Sequence, residues 1–349
     1  MDRLLGYLYI LPPLFDLLAL VTVLGVLSCR LWVLPPKALV EGHPQASTVW
    51  IPLRRLLARS LVVLTATSFL SLLNRAAEMS GESYLTAFPV LPTVLLQTHY
   101  GLVWLIRAGA LLALWVGWWA MAKIHWTHFA GFMFGMAALI AWSYSATGHA
   151  ADFGDFTWTQ WIDWVHVMSG SMWGGSILAI ALAIRPQFLR DPRDNRVFIA
   201  EIGYRASRLA GAALILVLAS GVYNSVVHLT NWESLWTTAY GGVLTVKIGL
   251  VFGMIFLGTI NRYLEIPRLE RWRPPDPKPA KWPMMSRLVR RIVPKRKPRR
   301  GNDVAHRLLN RVAWEAILMA LVVLCAAVLL RSAPPHHSSG MEHHEHHSQ

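Results

Sequence analysis

Eight apolar segments, each long enough to cross a bilayer as a helix, dominate this chain, at approximately 13–34, 53–73, 100–121, 129–147, 161–184, 208–228, 240–260 and 311–330. A hydrocarbon core about 30 Å thick takes about 20 helical residues to span, and a helix satisfies its backbone hydrogen bonds within a single segment. The pattern predicts an all-α fold, a polytopic integral membrane bundle of about eight transmembrane helices. Composition agrees: 54% of the 349 residues are hydrophobic and only 15% are charged, where a soluble domain carries about 25%. A Pro-Pro pair and Asp16 interrupt the first segment, which reads as a retained helix and not as a cleaved signal peptide.

The chain holds 33 Lys and Arg against 19 Asp and Glu, a formal net charge of +14. These cations gather in a few loops between apolar runs, so they read as topology determinants, and no nucleic-acid partner is expected. The connection after the first segment holds Arg30, Lys37, Arg54 and Arg55, and the one after the fifth holds Arg185, Arg190, Arg193, Arg196 and Arg205. After the seventh comes PKRKPRR, whereas the connections after the fourth and sixth contain neither Lys nor Arg. Basic loops stay inside, which puts both termini outside. Two cysteines, Cys29 and Cys325, lie far apart in apolar runs and suggest neither a disulfide framework nor a Cys-based metal motif.

That topology collects four histidines at the outer level: His99 before the third helix, His149 at the end of the fourth, His166 in the fifth and His228 at the end of the sixth. Neutral imidazole is the commonest metal ligand and suits copper and zinc. In the fifth helix Asp163 and His166 share a face, and Asp163 is a second-shell partner or a further ligand. Met168 and Met172 share another face as secondary thioether ligands or as packing residues, and Gly170 with Gly174 forms a G-x-x-x-G close-packing pair. An ionisable residue inside a span is costly and therefore a functional candidate. A metal site is the favoured reading of the four histidines; haem b ligation and incidental interface placement are the alternatives.

The tail, PPHHSSGMEHHEHHSQ, has no apolar content to fold. It carries His336, His337, Met341, His343, His344, His346 and His347 and reads as a flexible metal-capturing segment, on the same side as the four histidines.

From position 203 the stretches RASRLAGAALILVLASGVYNSVVHL, WTTAYGGVLTVKIGLVFGMIFLGTINRYLEIPRL and LNRVAWEAILMALVVL resemble the copper resistance D (CopD) family. The matching positions are Tyr240 and Gly241 opening a helix, Lys247 below them, Asn261, Arg262 and Pro267 at its far end, and Glu315 in the last helix. HVMSGSMWGGS is similar to that family's His-bearing helix, which ends in Trp-x-Gly-Gly. The resemblance implies a multi-pass bacterial inner-membrane protein with periplasmic termini. Such a protein takes copper from the periplasm to the cytoplasm, often with a periplasmic copper-binding partner of the CopC type. A membrane copper chaperone or sensor without transport, and a haem-binding electron-transfer protein, are the rival functions.

The expected organisation is a four-helix half at 1–149, a CopD-like four-helix half at 150–331 with a basic cytoplasmic loop at 266–310, and the tail at 332–349. Within that loop, MMSRLVRRIV reads as an amphipathic helix on anionic lipid. Lys247, inside a span, is expected to pair with a carboxylate or backbone carbonyls, and the candidate carboxylates are Asp16 and Asp163. Glu315 is expected to pair with Arg311 or Arg262. No phosphate-binding glycine loop appears, so neither ATP-driven pumping nor an enzymatic activity is expected.

Overall fold

The computed structural model describes residues 10–39, 44–81, 86–121, 127–189, 195–229, 231–270 and 301–332. Among these residues every regular element is helical. Eight long helices form the bundle: α1 Leu11–Ser28, α2 Pro44–Ser80, α3 His99–Ala120, α4 Thr127–Ser145, α5 Trp158–Ala179, α6 Arg196–His228, α7 Ala239–Ile260 and α8 Gly301–Arg331. Seven are long and apolar enough to cross a membrane; the apolar part of α4, Phe129–Ser145, is shorter. The chain is a multi-pass membrane protein.

Several helices run past the apolar stretches that reveal them. Helix α2 begins at Pro44, α6 at Arg196 and α8 at Gly301, because charged turns outside the hydrocarbon continue the same backbone pattern. The Pro-Pro pair proves to be a helix start: it occupies the first turn of α1, where a missing N–H costs nothing. At the basic end α1, α5 and α7 each pass into a π-helical turn, Cys29–Val33, Ile180–Ile184 and Asn261–Glu265.

Helices α1 and α5 are the axis of the bundle. Of their most apolar stretches 78% and 72% are buried, against 17% for α6 and 6% for α7, whose apolar surfaces stay largely exposed. The axis closes through two glycines: a Cβ at Gly25 would meet the backbone of Gly175, and one at Gly175 would meet Val21 and Gly25. Gly174 instead lies against Met319 of α8, and Gly170 has only Val217 at 4.0 Å. The backbone crossing therefore uses Gly175, one position beyond the expected pair.

A local motif occurs twice. Short helices Leu91–Gln97 and Ser234–Thr237 lead into α3 and α7 through extended Thr98 (φ −119, ψ 149) and Thr238 (φ −112, ψ 152). Each threonine side chain caps its helix by accepting the N–H of Gly101 or Gly241, both at 3.0 Å. In both places the glycine is pressed on the backbone of the preceding short helix, where a Cβ would collide. The shared spacing is T-x-Y-G-x-V-x-x-x-(Arg or Lys), ending at Arg107 in α3 and Lys247 in α7.

Candidate metal centre

Each repeat delivers its cation toward an aspartate on the first helix of its half. In the N-terminal half the result is a closed cluster. Arg107 donates to Asp16 Oδ2 at 2.7 Å and to the Tyr144 hydroxyl at 2.9 Å; Tyr144 donates to Asp16 Oδ2 at 2.5 Å, and Thr67 donates to Asp16 Oδ1 at 2.6 Å. Asp16 and Arg107 are both buried. A buried ion pair persists only with such surrounding hydrogen bonds. Asp16 is therefore occupied by Arg107 and is not the counter-ion of Lys247.

The C-terminal half holds the open counterpart. Asp163 accepts from Ser145 of α4 at Oδ2, 2.7 Å, and from Asn224 of α6 at Oδ1, 2.9 Å. Lys247 of α7 lies within electrostatic range of Asp163, His166 and Cys325. Helices α5 and α6 run antiparallel, which matches Asp163 to Asn224 near the end and His166 to Ser220 one turn deeper.

The imidazole of His166 has a defined orientation. Its Nδ1 lies 3.1 Å from Ser220 Oγ, and Ser220 gives its own proton to the Leu216 carbonyl at 2.5 Å. A hydroxyl that has donated can only accept from the ring, which puts the imidazole proton on Nδ1 and the lone pair on Nε2. Gly221 makes room for the ring: a Cβ there would stand 3.1 Å from His166 Cε1. Beside it, Asn224 Oδ1 is buried and has no hydrogen-bond partner among the described residues. Imidazole nitrogen, carboxylate and amide oxygen are all donor types that a cation accepts.

The other expected ligands sort as follows. His99 opens α3 and its Nε2 lies 3.1 Å from Oδ1 of Asp155, which belongs to the α4–α5 connection, both side chains being about half exposed. His149 begins the 3-10 turn His149–Phe153 and His228 is the last residue of α6, but their side chains lie outside the described residues. Among the described residues no three His, Cys, Asp or Glu side chains gather closely enough to hold a metal ion. Met168 is buried in the apolar core, and Met172 is partly buried. The seven tail residues from His336 to His347 and the MMSRLVRRIV segment lie outside the described residues.

At the basic end Glu315 accepts from Asn261 Nδ2 at 2.6 Å, while Arg262 donates to the Ser207 carbonyl at 2.7 Å. Arg311 is within electrostatic range of Glu315, yet its salt bridge is to Glu265 at 2.9 Å. The expected Glu315 ion pair is thus replaced by an amide, because Glu265 in the π turn attracts Arg311, Arg307 and Arg268. Sequence reading missed Arg107, Tyr144, Ser220 and Asn224. The repeated capping motif was the available signal for Arg107; the other three become visible only when helices pair.

Two family models match the chain: "Copper resistance protein D-like, N-terminal domain" over residues 4–158 and "Copper resistance protein D" over residues 200–329. A copper transport protein, CutJ, of Bacillus subtilis is 31% identical over 217 residues, which is 60% of this chain and 39% of that protein. Copper resistance protein D of Pseudomonas syringae is 29% identical over 240 residues, 66% of this chain and 76% of that protein. Inner membrane protein YebZ of Escherichia coli is 29% identical over 107 residues, 31% of this chain and 35% of that protein. This chain thus spans well under half the length of CutJ and of YebZ. No solved structure matches it significantly.

Proposed function

Because this chain belongs to the copper resistance D family, we propose that it binds copper at the histidine end of the bundle and carries it across a bacterial inner membrane. The reading rests above all on His166, an imidazole held through Nδ1 by Ser220 and carried on the same buried helix as the hydrogen-bonded Asp163 carboxylate. Imidazole nitrogen is a good copper donor in either oxidation state, and a carboxylate adds the negative charge that draws a cation in from water. Lys247 supplies the compensating charge while the site is empty.

The basic connections support an orientation with the histidine end periplasmic and the π-helical, arginine-rich end cytoplasmic. In that orientation His99, His149 and His228 belong to element ends on the periplasmic side and are the further copper ligands. The histidine-rich tail raises the local copper concentration there, and a periplasmic copper-binding protein of the CopC type hands over the ion. The names of the relatives speak of copper transport and copper resistance, which agrees with movement of copper as cargo.

The test separates the site from the transport. Protein purified in detergent and lacking its tail is loaded with copper, washed and analysed for metal; one tightly held equivalent is expected, and His166→Ala should lose it. Undiminished copper in that variant would remove the site. Uptake of radioactive copper into proteoliposomes is then expected for the unmodified protein; binding without uptake would leave a copper chaperone or sensor in place of a transporter.

A further inference from the structure

At the basic end, away from the histidines, a crevice of about 610 Å³ opens between α6 and α7. Its floor is the last two turns of α5 and the start of α8, from Trp173 and Ile177 to Leu308 and Val312. Helix α6 packs on α5 and α7 packs on α8, so the two outer helices leave a gap open to the side. The lining is mostly apolar, and at its edge Ile215 is 70% exposed, as a residue facing lipid would be.

Two arginines belong to this otherwise mostly apolar lining. Arg262 reaches from the end of α7 over Gly211 of α6, where a Cβ would come within 3.3 Å of its Nη1, and it is fixed there by the Ser207 carbonyl and hydroxyl at 2.7 and 3.1 Å. Arg208, the next residue along α6, is exposed and lines the same crevice. Neither arginine makes an ion pair among the described residues. The acid in the lining, Glu315, is already engaged by Asn261. Two cations lining one crevice without an ion-paired carboxylate leave a local excess of positive charge, and a guanidinium fork is suited to a phosphate.

We propose that this crevice binds one anionic phospholipid, its phosphate on Arg208 and Arg262 and its acyl chain along Leu214, Ile215 and Ile255 toward Trp173. The charge selects this occupant. The chain's own segment after residue 270 is rich in Lys and Arg and would be repelled by the two arginines. A zwitterionic lipid fills the apolar part without satisfying the cations. Arg208 lies where the apolar stretch of α6 begins, which is the depth of a lipid phosphate. The site is independent of copper.

Full-length protein is stripped of lipid in mild detergent and titrated with dioleoylphosphatidylglycerol, dioleoylphosphatidylcholine or inorganic phosphate, with bound lipid counted by native mass spectrometry. The phosphatidylglycerol adduct should be retained preferentially at one per chain, and Arg208→Gln should weaken that preference about fivefold while leaving the copper stoichiometry unchanged. Arg208 is exposed and makes no structural bond, so the variant is expected to fold; Arg208→Lys should keep most of the preference. Equal retention of both lipids would overturn the proposal. So would competition by millimolar phosphate, which would mean a free-anion site, or a dimer that forms through this face and excludes lipid.

Discussion

Position 221 must stay a glycine for His166 to keep its seat. A valine there would push its side chain into an imidazole ring that already approaches the Cβ position at 3.1 Å, and the ring can move only by leaving Ser220. Gly221→Val should therefore abolish tight copper binding in metal analysis while the helical circular dichroism signal persists. Ser220→Ala is a milder probe of the same geometry. It removes the acceptor that holds the proton on Nδ1, and loss of such a partner lowers metal affinity by about 10–100-fold; competition with a chelator of known affinity reads the change. Asn224→Ala should follow Ser220→Ala and not His166→Ala, since it frees one carboxylate oxygen without removing a nitrogen ligand.

Among the helices, the α1–α5 contact is the least forgiving. Gly175→Leu would force two backbones apart, and overpacking costs about 1–3 kcal/mol or more, so the melting temperature in detergent should fall sharply. Gly170→Ala, with only Val217 at ordinary contact distance, should be nearly silent. The helices were legible from sequence because the bilayer sets their length and forces backbone bonds to close within each one. Their extensions into water were not, since no apolar run marks where Pro44 or Gly301 begins a helix. Which glycine makes the crossing was not legible either: successive residues turn by about 100° around a helix, and only the partner's own glycine, Gly25, selects Gly175 over its neighbours. His166 and Asp163 were visible as polar residues in an apolar span. Their partners Ser220 and Asn224 look like ordinary small polar residues until α6 lies antiparallel to α5.

Across the whole molecule, the two halves treat the same charge pattern in opposite ways. Asp16 is sealed by a guanidinium, a phenol and a hydroxyl, whereas Asp163 has amide and hydroxyl partners and a lysine within electrostatic range. Asp16→Ala should leave Arg107 buried without its counter-ion and cost about 3–5 kcal/mol, seen as a lower midpoint in denaturant. Asp163→Asn should cost far less in stability and far more in copper binding, which would separate an anchor from a site. The crossing of Gly25 and Gly175 adds a mechanical consequence. Where two backbones touch without side chains between them, the helices can neither slide along each other nor separate without losing that contact, but they can swing about it. For the transport proposed above, this crossing favours a rocking of one half against the other over a sliding of α1 along α5.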